Sequence, residues 1–326
     1  MKTEEDRAVA WCDACNMPIV RDAVRLSGEE RVMIMEPSIE VLSADSRFTG
    51  EIDCTAAVPY HPGRPGLAMD VIGPMLTSVQ GGALPAVLFI QGSGWTTPNR
   101  MYALPRLLKL VARGFVVATV SHTDSKRGRH PFPEYLCDVK SALRYLRLHA
   151  NRFHLDPGHI GVWGTSSGAN AALLTGMTQG DARYDDGSNV GASDAVDYVV
   201  SCFAPTDVFG LLDGEEPGAN PDIIDCAACA AGATNADEAD DDVRRKAYAM
   251  SPYRIVASET DCPPMLLLHG DSDTLVSYAQ TEKLYRRMSG QGHDVRMIRV
   301  DGGEHEGNFW SEPVTAAIID FIETHA

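Results

Sequence analysis

The sequence contains no apolar run near the roughly 20 residues that a membrane-spanning helix needs, so it predicts no membrane span. Its start, MKTEEDRAVAWCDAC, is acidic and lacks the basic beginning and apolar centre of a secretory signal. We therefore expect a cytoplasmic protein.

Positive charge is scarce: 28 Lys and Arg stand against 45 Asp and Glu, which leaves a formal net charge of −17. Such a chain repels nucleic-acid phosphates and anionic lipid surfaces, so neither is an expected partner. Small neutral or cationic ligands fit better, and the sequence carries no signal for or against a homo-oligomer. At 326 residues, 44% of them hydrophobic, the chain is long enough to bury a large core.

Eight cysteines include two Cys-x-x-Cys pairs, Cys12/Cys15 and Cys226/Cys229. This spacing suits zinc or a redox disulfide, but neither pair has a histidine or a second pair close to it in sequence. In a cytosolic protein we expect reduced thiols. The alternative is one zinc site that forms where both pairs meet in space.

Apolar, β-rich runs recur along the chain, and several are apolar throughout, as is typical of strands covered on both faces. Between them lie helical patterns, the clearest at residues 133–150, where apolar residues recur every three or four positions: Leu136, Val139, Leu143, Leu146 and Ala150. The predicted strands are residues 39–44, 67–73, 86–90, 115–120, 160–164, 198–203, 265–270 and 295–300, and further helices are predicted at 99–113, 167–178, 277–289 and 312–324.

This alternation predicts an α/β fold with one mostly parallel central sheet of about eight strands and helices on both faces. Such sheets hold their ligands at the carboxyl ends of the strands. No repeat or long linker divides the chain. We therefore expect one domain at residues 54–326, preceded by an N-terminal extension and first strand at residues 1–53.

Residues 207–243 interrupt the alternation with eleven Asp and Glu and no Lys or Arg, and with Gly, Ala and Pro throughout. The segment is too polar to be core, so we expect an exposed insertion. It is either a cap over the site or a solvated surface loop.

The run GTSSG at residues 164–168 matches Gly-x-Ser-x-Gly with Ser166 at its centre, between a predicted strand and a predicted helix. A tight strand-to-helix turn forces the serine into a strained backbone conformation and lifts its hydroxyl clear of the sheet. The alternative is a structural Gly/Ser loop. Ser167 lies one residue off the centre, and we expect its backbone N–H to be the useful part.

A nucleophilic serine needs a base, and an acid that orients the base, both beyond strand ends. His305, in the loop DGGEHEGNF after the last predicted strand, is the expected base. His293 precedes that strand, His325 is at the terminus, and His269 is expected to shape a turn. Four acids follow strands, and spacing alone does not choose among them: Asp207, Asp271, Asp273 and Asp301.

The run LFIQGSGW places a predicted strand directly before Gln91-Gly92-Ser93-Gly94-Trp95, the oxyanion loop. Its small residues let backbone N–H groups turn toward a substrate oxygen. With that of Ser167, the N–H groups of Ser93 and Gly94 form the expected oxyanion hole. Trp95 is a candidate substrate contact. The alternative is a plain Gly-rich turn.

Several stretches together resemble the α/β-hydrolases, specifically the clade of bacterial bifunctional feruloyl and acetylxylan esterases near the hormone-sensitive-lipase group. The resemblance covers residues 54–326 and implies the α/β-hydrolase fold. It rests on VPYHPGRPGLAMDVIGP, LFIQGSGW, FPEYLCDVKSALRYLR, LDPGHIGVWGTSSGAN, VVSCFAPTDV, CPPMLLLHGDSDTLV and VDGGEHEGNF.

The resemblance implies Ser166, Asp273 and His305 as the catalytic triad and leaves Asp207 in a structural Pro-Thr-Asp turn. The chain departs from the family's usual His-Gly-Gly-Gly-Trp at the first position, a glutamine, and at the third, a serine. It also departs in its enlarged acidic insertion, which falls where substrate selectivity is commonly set.

The expected function is hydrolysis of a carboxylic ester through an acyl-enzyme, on small acyl or aryl esters of acetyl or feruloyl type, with no cofactor and no metal. One rival is an amidase similar to kynurenine formamidase. Another is a non-catalytic binding protein with the hydrolase fold. A third is a thiol or zinc protein built on the two cysteine pairs.

Overall fold

The computed structural model of the protein describes residues 9–12, 17–20, 41, 51–75, 82–216 and 218–326. The chain divides into two compact units, Met1–Ala44 and Asp45–Ala326. In the first, strands β1 (Val9–Cys12) and β2 (Met17–Val20) pair antiparallel. Apart from Val41, the strand predicted at residues 39–44 lies outside the described residues.

Within the described ranges, an eight-stranded sheet forms the centre of the second unit. Its strands are β3 (Ile52–Pro59), β4 (Ala68–Pro74), β5 (Leu84–Ile90), β6 (Val116–Val120), β7 (Leu155–Thr165), β8 (Val199–Cys202), β9 (Met265–Gly270) and β10 (Val295–Val300). The order across the sheet is β10-β9-β8-β7-β5-β6-β4-β3. Strand β4 runs antiparallel to both of its neighbours, and the other pairs are parallel. The predicted mostly parallel sheet is confirmed.

Within this sheet, strand β3 is the one that the sequence pattern missed; the pattern did not predict β1 and β2 either. It lies at the edge of the sheet, and all but one of its side chains are exposed or half-buried. A strand without an apolar face gives no alternating pattern to recognise.

Helices connect the strands in this part of the chain: α1 (Leu104–Val111), α2 (Glu134–Leu148), α3 (Ala150–Phe153), α4 (Ser166–Met177), α5 (Val208–Leu212), α6 (Pro221–Ala231), α7 (Asp241–Ala249), α8 (Pro252–Ile255), α9 (Tyr278–Gly290) and α10 (Glu312–His325). The predicted helices are all present. Helix α1 is shorter than predicted because it starts at Leu104, with a proline in its first turn. In the described ranges no helix is both long and apolar enough to cross a membrane.

Apolar side chains pack on both faces of the sheet. In β5, Ala86, Leu88 and Ile90 belong to one buried cluster, whereas Val87 and Phe89 belong to a second. Successive side chains of a strand point to opposite faces, so the two clusters cover the two faces. Helices α2 and α4 contribute to the first cluster, and α1 and α10 to the second.

The expectation that residues 207–243 are too polar for the core is wrong for one face of the segment. It forms α5, α6 and the start of α7, and its apolar residues Val208, Ile223 and Ala227 are buried. Asp225 on α6 is exposed. Helical periodicity places the small apolar residues on one face of the helix and the acidic residues on the other. The average composition of the segment does not show this separation.

Asp207 anchors this insertion. Its buried side chain caps α5 by accepting from the Gly210 N–H, and it pairs with Arg254 and Lys283, each at 2.9 Å. Burial raises the pKa of Asp207, but the hydrogen bonds from Arg254 and Lys283 outweigh burial and hold the pKa below its usual range. These contacts agree with the structural turn that the resemblance implies.

We expect Asp207→Asn to lower the free energy of unfolding by about 2 kcal/mol at neutral pH, because Arg254 and Lys283 lose their buried partner and keep only Glu215 and Glu216. A carboxylate whose pKa is depressed by folding contributes its full stabilisation when the pH is above the ordinary aspartate pKa of about 3.9. This contribution is lost as the pH falls through the folded-state pKa. The free energies of unfolding of the wild type and Asp207→Asn should therefore converge at acidic pH, as measured by urea unfolding at a series of pH values.

The matched control for this experiment is Asp213→Asn. Asp213 forms a more exposed ion pair with Arg244, 3.4 Å between N and O, which should contribute less than about 1 kcal/mol. Equal losses of stability in the two variants at neutral pH would contradict the anchoring role.

Candidate active site

Ser166 lies at the junction of β7 and α4, where the strand ends in a turn. Its φ is 50°, in the left-handed region that strains a residue with a side chain. Space forbids larger residues beside it: a Cβ on Gly164 would lie 2.2 Å from Gly168 O, and one on Gly168 would lie 2.2 Å from Ile90 O. The turn holds the serine at the carboxyl edge of the sheet.

His305, from the loop after β10, contacts both Ser166 and Asp273. Its Nε2 lies 3.0 Å from Ser166 Oγ, and its Nδ1 lies 2.7 Å from Asp273 Oδ2. Because a carboxylate only accepts, we assign the ring proton to Nδ1, which leaves Nε2 to accept from the Ser166 hydroxyl. Phe203 packs edge-on against the imidazole, with 4.7 Å between ring centres, and orients it.

Asp273 follows β9, and its side chain is fully buried. Its Oδ1 accepts from the N–H groups of Leu275 and Val276, while Oδ2 faces both His305 and His269. Burial raises the pKa of Asp273, but its hydrogen bonds with His269 and His305 and the charge of His305 hold the pKa well below its usual range. The acid is therefore ionised at neutral pH.

The other candidate acids and bases lie away from the serine. Asp271 accepts from a backbone N–H of the next loop, and the side chain of Asp301 is 92% exposed. His293 contacts a backbone carbonyl at the opposite end of β10 from His305. Asp273 is thus the acid that the structure brings to the histidine.

His269, at the end of β9, is buried and fully hydrogen-bonded. Its Nδ1 lies 2.7 Å from Thr281 Oγ1, and its Nε2 lies 2.9 Å from Val276 O and 3.1 Å from Asp273 Oδ2. It therefore shapes the turn after the strand, as expected. Its contact with Asp273 was not anticipated, and it fixes the position of the carboxylate.

The oxyanion loop follows β5 and packs against the start of α4. The Ser93 N–H donates to Ser167 Oγ at 3.0 Å, so this predicted donor is engaged by a hydroxyl in the structure. Gly94 follows with a φ of 61°. Ser167 is the second residue of α4, where first-turn N–H groups have no acceptor within the helix.

Trp95 is fully buried. Its Nε1 lies 3.4 Å from Asn170 Oδ1, which also accepts from the Tyr135 hydroxyl at 2.9 Å. The side chain anchors the oxyanion loop in the core and is not exposed to a substrate, so the expectation of a substrate contact at Trp95 is corrected. Asn170 carried no signal in the sequence because its partners come from several distant segments.

Three further residues support the site without having been anticipated. Thr165 Oγ1 accepts from the N–H of Gly92 at 2.8 Å, Phe203 orients the imidazole, and Glu306 Oε1 accepts from Gln91 Nε2 at 3.3 Å. Thr165 lies inside the serine motif, so its place in the sequence could have indicated its role. The other two depend on contacts between loops far apart in sequence.

Helix α6 of the insertion lies beside the oxyanion loop. Asn220, at its N-cap, donates from Nδ2 to Thr274 O at 3.1 Å, in the loop that carries the acid. Further along, a Cβ on Gly94 would lie 3.0 Å from Cys226 Sγ. The insertion therefore packs against loops that surround Ser166, which favours a cap over a solvated loop.

The cysteines near the site are free thiols. Burial, Cys229 and the charges of Asp222 and Asp225 all raise the pKa of Cys226, so it is protonated at neutral pH. The described residues contain no group of three or more His, Cys, Asp or Glu that could hold a metal ion. The four-cysteine zinc site would also need the side chains of Cys12 and Cys15, and the structure describes neither side chain.

A serine on a strand-to-helix turn, followed in chain order by an acid and a histidine after later strands of this sheet, defines the α/β-hydrolase fold. The chain belongs to the BD-FAE family, whose model matches residues 69–288, more than half of its length. The resemblance inferred from the sequence motifs is therefore confirmed.

Several known proteins are similar to this chain. LipM of Mycobacterium tuberculosis, a probable carboxylic ester hydrolase, is 28% identical over 200 residues, which are 61% of this chain and 43% of LipM. The esterase LipQ of the same organism is 28% identical over 300 residues, 82% of this chain and 62% of LipQ. The chain spans about half the length of the curated relatives it matches.

A solved structure has the same fold. It is a truncated form of a carbohydrate esterase from gut microbiota, with a TM-score of 0.69 and 24% identity. The match covers 86% of this chain and 98% of that one.

We expect a fluorophosphonate probe to label Ser166, because a serine hydroxyl bonded to an oriented imidazole is an activated nucleophile. Peptide mapping by mass spectrometry locates the label. Ser166→Ala should remove labelling, and His305→Ala should nearly remove it. His293→Ala, at the other end of β10, should label like the wild type. Equal labelling of the two histidine variants would count against this arrangement.

Proposed function

We propose that the protein is a serine carboxylic-ester hydrolase that acts through an acyl-enzyme. The observation that carries the proposal is the hydrogen-bonded line from Ser166 Oγ through His305 to the buried carboxylate of Asp273, at 3.0 Å and 2.7 Å. Acyl transfer requires such a nucleophile, base and orienting acid. The names of the relatives, carboxylic ester hydrolase and esterase, favour an ester as the substrate.

In the proposed reaction, Ser166 Oγ attacks the ester carbonyl carbon while His305 Nε2 takes the hydroxyl proton. Asp273 stabilises the imidazolium that forms. The carbon–oxygen bond to the alcohol then breaks, and His305 returns the proton to the leaving oxygen. Water attacks the acyl carbon with His305 again as base, releases the carboxylic acid and restores Ser166. These steps use no cofactor.

We propose the N–H groups of Gly94 and Ser167 as donors to the oxyanion. The N–H of Ser93 becomes a third donor when the substrate oxygen replaces the Ser167 hydroxyl as its acceptor. The N-terminus of α4, at which Ser166 lies, adds a favourable potential for the developing negative charge.

Small acyl or aryl esters, of acetyl or feruloyl type, are the proposed substrates. Cys226 on α6 lies against Gly94 and limits the room above the oxyanion loop. The net charge of −17 disfavours nucleic acids and lipid surfaces as partners. The cytoplasmic location stays a prediction, as does a catalytic domain at residues 54–326 with residues 207–243 as its cap.

We expect Ser166→Ala and His305→Ala to lower kcat for p-nitrophenyl acetate by about a million-fold, and Asp273→Asn by about ten-thousand-fold, because the three side chains act as one unit. Asp271→Asn, which changes the neighbouring acid of the same loop, is the matched control and should keep kcat within about threefold. Full turnover by Ser166→Ala would refute the function, and faster cleavage of the matched anilide would indicate an amidase.

The acidic residues of α6 should also select substrates by charge. Asp222 and Asp225 are exposed on the helix that lies beside the oxyanion loop, so a negative substrate approaches against like charge. We expect kcat/KM at low salt to be about tenfold lower for para-carboxyphenyl acetate than for phenyl acetate, and this gap should narrow with added salt.

Two double variants test the origin of that discrimination. Asp222→Asn with Asp225→Asn should narrow the gap. Asp294→Asn with Asp320→Asn removes the same net charge from exposed positions outside α6 and should leave the gap unchanged. Equal rates for the two esters at all salt concentrations would contradict the selection by charge.

A further inference from the structure

The loop after β10 has to reach across a large part of the sheet. Strand β10 is at one edge, and β5, which carries the oxyanion loop, lies four positions further in. At the usual spacing between neighbouring strands this separation is about 19 Å. The loop places His305 beside Ser166 at the end of β7, three positions in, and the residue after His305 reaches the oxyanion loop one position further.

Glu306, the residue after His305, makes that contact. Its Oε1 accepts from Gln91 Nε2 at 3.3 Å, and its Oε2 accepts from Trp310 Nε1 at 2.5 Å. Gln91 is the first residue of the oxyanion loop, and only 5% of it is exposed. The guanidinium of Arg106 lies 3.7 Å from the centre of the Trp310 ring, and its positive charge interacts with Glu306.

The backbone of Glu306 is strained. Its φ of 67° and ψ of −152° fall in a region that essentially only glycine adopts. If the loop conformation were the only requirement, glycine would meet it with less strain. The contacts of the carboxylate with Gln91 and Trp310 therefore account for a glutamate at this position.

We propose that Glu306 is a positioning residue: through Gln91 it fixes the loop of His305 relative to the oxyanion loop. The base and the oxyanion donors are thereby held in register on either side of the reacting carbonyl. This role rests on the proposed ester hydrolysis. It also explains how the oxyanion loop is braced in a chain that has glutamine where the family pattern has histidine.

The test is a double-mutant cycle of Glu306→Gly and Gln91→Ala. Each single variant should lower kcat for p-nitrophenyl acetate by about 10- to 100-fold, with KM within about threefold, because misplacement affects the reacting geometry more than binding. The double variant should be no slower than the slower single variant, since both remove the same contact.

Glu304→Gly is the matched control. It makes the same substitution at an exposed glutamate two residues away, so it adds similar backbone freedom to the same loop and should keep kcat within about threefold. Glu306→Gln keeps one acceptor oxygen, and its kcat should lie between those of the wild type and Glu306→Gly. The thermal midpoint of Glu306→Gly should change little, because the strain that glycine relieves offsets the hydrogen bonds that the substitution removes.

Wild-type kcat in Glu306→Gly, or independent effects that multiply in the double variant, would overturn the proposal. If Glu306→Gly does not fold, the same cycle with Glu306→Gln decides between these outcomes. If the wild type hydrolyses no ester, the proposed function fails. The coupling between Glu306 and Gln91 is then tested with the rate at which a fluorophosphonate labels Ser166. A double variant no slower than the slower single variant supports the proposal, and effects that multiply overturn it.

Discussion

The left-handed backbone of Ser166 is the constraint on which the rest of the site depends. Such a conformation costs on the order of 1–3 kcal/mol, and it persists because Gly164 and Gly168 let the start of α4 pack directly against β5 and β7. Because the Ser166 hydroxyl is fixed at that edge, the loops that carry the histidine and the acid have to extend toward it. His305 does so from β10, three positions away in the sheet, and Asp273 from β9.

The parts of the site reinforce one another across these strand ends. Besides His305, three partners hold the carboxylate of Asp273 in place: His269 and two backbone N–H groups. Phe203 holds the imidazole from the side. The oxyanion loop is anchored by the buried Trp95 and is hydrogen-bonded to α4 through Ser167. Loops from separate strands thus form one packed and hydrogen-bonded arrangement.

Sequence patterns predicted the parts of this arrangement that are local. The motif around Ser166 and the apolar runs of the sheet follow from short-range periodicity, and His305 followed from its position after a strand. The acid could not be chosen by spacing, and the resemblance pointed to Asp273. The amphipathic folding of residues 207–243 was hidden by their acidic composition. The contact of Gln91 with Glu306 joins residues 215 positions apart, which no local pattern encodes.

Ser166 is the residue that we propose to carry the acyl group during turnover. The most direct measurement is to quench the wild-type protein with acid in the first turnover of p-nitrophenyl acetate and to map its peptides by mass spectrometry. We expect one acetyl group on Ser166, which disappears as the ester is exhausted. A burst of p-nitrophenol with no acetyl group on Ser166, or acetylation of another residue that is competent for turnover, would contradict this assignment.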